Sequence, residues 1–240
     1  MKKSAFLFLA LIAVALPGNA QIYHYYRTGG APWNGNKSYI LNVGTDFSIT
    51  PRNFGENSNN ISSTPGLALS FRYEGDKNIN ERFTWGHQFE VSYLKQGFKY
   101  EETTYNGTLK HEDLTWWDLQ VDLRLSLAYW INDNIELQLA AGVYLGPFFG
   151  YSGEHYETNA AGNEIANSRQ SDKVSSFSFA TGVSTMLQAK YFFNENFFLS
   201  LNLHDDIALK LFSEDFSNHI VSEGGQRGVI LFGIGYKFIH

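Results

Sequence analysis

Eight stretches of this chain alternate apolar and polar side chains with a period of two, and they run for 9 to 16 residues each. A period of two sends successive side chains to opposite faces of a strand, so each stretch predicts an amphipathic β-strand. The cleanest is 117–129, where Leu119, Val121, Leu123, Leu125 and Leu127 oppose Asp118, Gln120, Asp122, Arg124 and Ser126. The others are 38–49, 66–74, 83–95, 135–145, 176–191, 197–211 and 227–240. Strands of soluble proteins are mostly about 5–6 residues long, whereas a tilted strand needs about 9–11 to cross a bilayer. The lengths therefore point to strands that span a membrane.

The connections alternate in length. Polar turns at 76–80, 132–134 and 194–196 are tight, and longer segments at 50–64, around Asn106-Gly107, at 152–173 and at 213–226 lie between them. Asn-Gly favours a type I′ hairpin, so the third and fourth strands should continue beyond the membrane as a ribbon. The expected fold is all-β: an eight-stranded antiparallel up-and-down barrel with short periplasmic turns and long external loops. Similar turns at Trp130–Ile135 and Phe193–Phe197 read as one hairpin unit used twice.

Alternation alone does not say which face points inward, because a soluble lipocalin-like barrel hides its apolar face. The strand ends favour the membrane reading. Phe83, Trp85, Tyr129, Trp130, Tyr191, Phe192, Phe193, Phe197, Tyr236 and Phe238 are expected to form an inner aromatic girdle. Trp116, Trp117, Phe148, Tyr151, Phe177 and Phe212 are expected to form the outer one. Aromatic residues settle at both membrane–water interfaces. The polar phase then lines the lumen and carries both charge signs: Arg72, Glu74, Glu90, Asp118, Asp122, Arg124, Glu136, Lys190, His204, Asp206 and Lys210, with Asp46 and Lys237. Such a narrow interior is filled by side chains, so these groups are read as a structural ion-pair network.

The ends and composition fit this picture. Residues 1–20 have Lys2 and Lys3, an apolar core and small residues Gly18 and Ala20 before Gln21, the pattern of an export signal. Residues 21–37 read as an irregular lead-in and 38–240 as the barrel. Without the two signal lysines, 16 basic residues face 24 acidic ones, which disfavours nucleic acid as a partner. There is no cysteine for a disulfide framework, and no stretch after the signal is long and apolar enough for a helical span.

The terminal Gly233-Ile-Gly-Tyr-Lys-Phe238, Ala20-Gln21 and Tyr93-Leu-Lys-Gln-Gly97 resemble the small outer-membrane β-barrel proteins of Bacteroidota. That broad outer-membrane-barrel and PorT-like group is architecturally akin to OmpX and the OmpA barrel. The resemblance implies an integral protein of a Gram-negative outer membrane, in contact with lipid or lipopolysaccharide and open to another envelope protein as partner. It implies little about activity, and a role in secretion is one implied possibility.

The residues leave three functional classes open: a non-enzymatic surface or complex-forming protein, a small pore, and a lipid-modifying enzyme or protease. The first is the expected class. His204 and Asp206 share a face with Asp46 and Asp122, a weak pattern for a metal. Ser217, His219, Glu214 and Asp215 lie together in the last long loop, but adjacency in sequence makes no catalytic triad. No residue set calls for a cofactor. His87 and Asp205 fall on the lipid phase, His87 near the inner interface and Asp205 near the outer headgroups or at a bulge. Binding is expected at the external loops, with Tyr100, Tyr105, Tyr151 and Tyr156 as contact anchors, since Tyr offers large contact area at low entropic cost.

Overall fold

The computed structural model describes residues 35–49, 61–103, 107–174, 178–211 and 226–238. The export signal, most of the lead-in and the 213–226 connection up to residue 225 lie outside the described residues, as does Tyr105. The described residues form ten strands: β1 (Asn36–Ile49), β2 (Ile61–Thr64), β3 (Gly66–Asn78), β4 (Phe83–Thr103), β5 (Leu109–Asn132), β6 (Ile135–Thr158), β7 (Gln170–Val174), β8 (Ser178–Phe192), β9 (Phe197–Leu211) and β10 (Gln226–Phe238). Eight of them close a circle, β1–β3–β4–β5–β6–β8–β9–β10 and back to β1, every pair antiparallel. Closure leaves no open edge, the condition for strands to cross hydrocarbon. Among the described residues, no helix is long and apolar enough to cross a membrane.

At one end the hairpins turn by a shared device. Asn80 Oδ1 accepts from the backbone N–H groups of Arg82 and Phe83, both at 2.9 Å. Asn132 does the same for Asn134 and Ile135, and Asn194 for Asn196 and Phe197. In the second and third turns another Asn reaches sideways: Asn134 Nδ2 donates to the Phe192 carbonyl and Asn196 Nδ2 to the Lys237 carbonyl, each at 2.8 Å. A side-chain amide thus mimics a backbone turn and then ties one hairpin to the next.

The other end is more ordered than the sequence pattern suggests. The 152–173 segment, expected as a loop, is half strand: β6 runs on to Thr158, and β7 pairs with its residues 151–155. The 50–64 connection likewise ends in β2, which pairs with residues 97–100 of β4. Above the barrel, β2–β4–β5–β6–β7 form a five-stranded sheet. These strands escape a hydropathy reading because both faces of 152–158 are largely polar, so the two-residue contrast vanishes. A register shift between Trp116 and Asp118 of β5, opposite residues 148–151 of β6, marks the transition from barrel to sheet.

The barrel is apolar outside and polar inside. Leu41, Leu123, Leu125, Leu139, Val143 and Phe232 are among the many large apolar side chains left exposed, while Arg72, Glu90, Glu136 and Asn202 are fully buried. Water would not tolerate such a continuous apolar belt on a monomer, and lipid requires it. The outward run from Phe83 to Tyr93, at about 3.4 Å per residue and a tilt of about 40°, rises about 26 Å, matching an apolar band of about 25 Å.

The inner girdle needs one correction. Phe83, Tyr129, Phe197, Tyr236 and Phe238 do cluster on the outside, with ring pairs Phe83–Tyr129 at 5.1 Å and Tyr236–Phe238 at 4.7 Å. Trp130 and Phe192 instead turn inward, because their neighbours Tyr129, Tyr191 and Phe193 hold the outward phase. With Ile40 and Phe198 they fill the turn end of the lumen. Of the expected outer girdle, Trp117 is half-buried; the side chains of Trp116, Phe148 and Tyr151, and residues Phe177 and Phe212, lie outside the described set. His87 packs its ring over Gly75 beside Tyr73, covering a strand position that has no side chain of its own.

Candidate functional site: the lumen and the external sheet

Inside the barrel the side chains stack in layers. At the turn end sits the apolar plug, with Lys190 Nζ 5.4 Å above the Phe198 ring and Lys237 Nζ 5.4 Å above Trp130. Beside it, Lys237 pairs with Asp76 at 3.1 Å. The next layer is held by Lys190, which donates to Glu74 at 2.6 Å and Glu136 at 2.8 Å, while Gln88 donates to Glu74 and Gln138. Gln188 lies among Glu74, Gln138, Asn202 and Arg72.

Glu90 is the hub of the middle layer. Its two oxygens accept from Arg72 Nε and Nη2 at 3.1 Å, from Arg124 Nη1 at 2.6 Å and from Ser70 Oγ at 2.5 Å. Arg124 also reaches Asp122 at 2.8 Å and donates to Ser184, which donates on to Asp206. Arg72 further donates to Asn202, which itself donates to Asn42. His204 lies between the two arginines, Nε2 3.0 Å from Arg72 and Nδ1 3.3 Å from Arg124. A neutral imidazole accepts at only one nitrogen, so one of these contacts at a time is a hydrogen bond. Two guanidinium groups facing the ring also leave it no room to ligate a metal. Among the described residues, no group of three or more His, Asp or Glu is arranged to hold one.

The layer nearest the external sheet is built on Arg227. From β10 its guanidinium crosses the lumen to Asp118 of β5 at 2.9 Å and to Gln120, with Asp206 at 3.8 Å. Gln120 in turn donates to Asp122 and Asp206. Here Asp46 is fully buried, its Oδ1 lying against Gly66 of β3. Ten of the eleven lumen residues expected from sequence are thus placed in the interior; the side chain of Lys210 lies outside the described set. Arg227 and Asp76 are added. Arg227 is legible by parity, being in phase with Gly233 and Lys237, but it stands at the start of the 227–240 stretch. Asp205 faces outward and accepts from Gln226 at 2.7 Å; the nearby β-bulge lies farther on, opposite Thr181 and Gly182.

On the external sheet, Tyr156 is the centre of a small cluster. Its ring stacks on His111 at 4.7 Å and lies under the Arg169 guanidinium at 4.9 Å. Arg169 forks onto Glu164 at 3.1 and 2.9 Å and also reaches Glu154 at 3.1 Å. The Arg169 hydrogen bonds hold the Glu164 carboxyl below its ordinary pKa. His111 bridges Glu101 at 3.2 Å and Thr158 at 2.9 Å. At the tip, Asn159 Oδ1 accepts from the Ala161 and Asn163 N–H groups, and Gly162 takes the positive φ of 81° that the turn needs. Tyr100 and Tyr151 occupy strand positions in β4 and β6, but their side chains lie outside the described set, as do Ser217, His219, Glu214 and Asp215.

A closed antiparallel barrel with an apolar belt outside and an ion-paired lumen is an outer-membrane-type β-barrel. No protein-family model and no curated protein matches the chain. Among solved structures, it is similar to Ail, the attachment invasion locus protein of Yersinia pestis, at 14% identity with 85% of this chain and 99% of that one covered (TM-score 0.43). It is similar to the outer membrane protein OprG from Pseudomonas aeruginosa at 13% identity, covering 85% and 96% (TM-score 0.45). It is also similar to Neisserial surface protein A at 13% identity, covering 83% and 97% (TM-score 0.39).

Proposed function

We propose that this chain is a non-enzymatic outer-membrane protein that keeps its lumen shut and works through its external sheet, as a surface or complex-forming component. The filling of the lumen carries this reading. From the Ile40–Phe192–Phe198 plug to the Arg227 layer, side chains from opposite walls meet at hydrogen-bonding distance. An interior of eight strands has room for such filling and little else. Recognition then falls to the sheet, where β2 and β7 widen the β4–β5–β6 ribbon and the Tyr156 cluster stiffens its tip. Lipid or lipopolysaccharide surrounds the belt, and another envelope protein is the partner in view. The export pattern at residues 1–20 and the Ala20-Gln21 junction support a Bacteroidota-type origin within this reading.

The test combines conductance with deletion. Reconstituted protein should show no steady current in planar bilayers, and trimming both ribbons to tight turns should preserve a heat-resistant barrel while abolishing capture of a stoichiometric partner from native membranes. A steady ion-selective current abolished by Arg124→Ala would favour the pore instead. Partner capture that survives trimming would place recognition on the barrel wall.

A further inference from the structure

We propose that the β1–β3 flank of the barrel, at its turn end, is a binding site for the phosphate of an anionic phospholipid. Phe197, Tyr236, Phe238, Tyr39 and Tyr73 form a continuous row of rings around this end, with centroids between 4.7 and 5.7 Å apart, and His87 extends it at 5.9 Å. Aromatic girdles settle where hydrocarbon meets headgroup. Toward the turn end, Lys37 lies two residues beyond Tyr39 and Lys77 four beyond Tyr73, so both reach headgroup level. The ring row fixes the depth, and the two lysines put charge there.

That charge is confined to one side of the barrel. Among the described residues, the outward-phase strand positions at the turn end carry Lys37, Lys77 and His87 and no acid, and all three lie on the adjacent strands β1, β3 and β4. The matching positions of β5, β6, β8, β9 and β10 are Leu, Ile, Ala, Tyr and Phe. The acids of this end lie elsewhere: Asp76 is buried and pairs with Lys237, while Glu81, Asp133 and Glu195 are in the turns. Of these, only Glu81 is in the β3–β4 turn, and Arg82 follows it. Neither Lys37 nor Lys77 is ion-paired with another described residue.

Register places Lys37 opposite Gly75 and Lys77 opposite Trp85. The two lysines are therefore diagonal neighbours, about 7–8 Å apart, close enough for both ammonium groups to contact one phosphate. Gly75 puts no side chain between them, and the His87 ring fills that position. Anionic phosphate supplies the counter-charge that the wall lacks here. A zwitterionic headgroup carries its own cation and gains less. A soluble anion has no acyl chains to lie along the exposed apolar face of Trp85, Phe89 and Phe71, so the occupant is the lipid.

This inference is independent of what the external sheet binds. The folded protein in detergent micelles would be titrated with phosphatidylglycerol and, separately, with phosphatidylcholine, and bound lipid counted by native mass spectrometry. Phosphatidylglycerol is expected to bind about fivefold more tightly, the size of one lysine's contribution near an anionic surface. Joint Lys37→Gln and Lys77→Gln should remove that preference, and joint Lys37→Arg and Lys77→Arg should keep it. Lys95→Gln, at an exposed position on the same outward phase but toward the sheet end, should leave it unchanged. Heat-shifted gel mobility checks that each variant is folded, and if the paired Gln variant is not, the single Gln variants carry the comparison. Equal binding of the two lipids to the wild type overturns the inference, as does a preference that survives loss of both lysines or disappears in Lys95→Gln.

Discussion

Glu90 shows what a single buried carboxylate does here. It neutralises two arginines at once while Ser70 satisfies it further, and every member of that cluster is shielded from solvent. Exchanging Glu90 for Gln preserves shape and removes the charge, leaving Arg72 and Arg124 beside each other without their shared anion. Breaking a buried pair in this way typically costs about 3–5 kcal/mol. The loss should appear as a lower urea midpoint for the barrel refolded in lipid vesicles. A cost below about 1 kcal/mol would mean that Asp122 and Glu74 suffice as counter-charges. At this scale the sequence was readable wherever alternation was unbroken. Its failures at Trp130 and Phe192 have one cause: consecutive aromatics at a strand end were assigned to the lipid by type, although neighbouring residues must take opposite faces. Arg227 is harder to place because the first residue of the alternating 227–240 stretch has no preceding alternation from which to read its phase.

Single strands obey two different rules along their length. Within the membrane, Leu123 lies midway between Trp117 and Tyr129 on the lipid face of β5, and the residue is 57% exposed to what surrounds the barrel. Leu123→Arg places a charge near the bilayer midplane and should cost about 2–4 kcal/mol in vesicles. A charge-conserving control at exposed Lys110 on the external part of β5, Lys110→Arg, should leave the unfolding midpoint where it was. Beyond the membrane the amphipathic contrast that located the eight strands is gone, so β2, β7 and the outer half of β6 could not be found by periodicity. What holds the tip together is instead local and polar. Arg169→Ala removes the fork onto Glu164, the contact with Glu154 and the cover on Tyr156. Limited proteolysis should then cut between residues 159 and 168 while the barrel stays intact. The Glu164 contribution has a definite pH sense: because its folded pKa is depressed, the clamp is complete above the ordinary glutamate range and is lost as pH falls through the lowered value. Tip amide shifts, followed by NMR in micelles, should stay flat near neutrality and move only in acid; movement near neutrality would overturn the Glu164 assignment.

The two ends of the molecule differ in kind, and that difference carries its orientation. One end has three tight Asn-capped turns and an aromatic plug; the other extends β4, β5 and β6 into a five-stranded sheet and leaves the Arg227 layer partly open. Barrels of this kind have short turns on the periplasmic side and long segments outside. The sheet end should therefore face the exterior. The chain has no cysteine, so single-cysteine variants report without background. Gly162 takes a left-handed φ that a side chain would strain, so Ala160→Cys, exposed beside it, is the better probe of the tip. Glu81→Cys, exposed in the β3–β4 turn, probes the opposite end. On intact cells a membrane-impermeant maleimide should label Ala160→Cys and spare Glu81→Cys, with both labelled after lysis. The reverse pattern would invert the barrel, put the sheet in the periplasm, and turn the search for a partner from the cell exterior to the envelope interior.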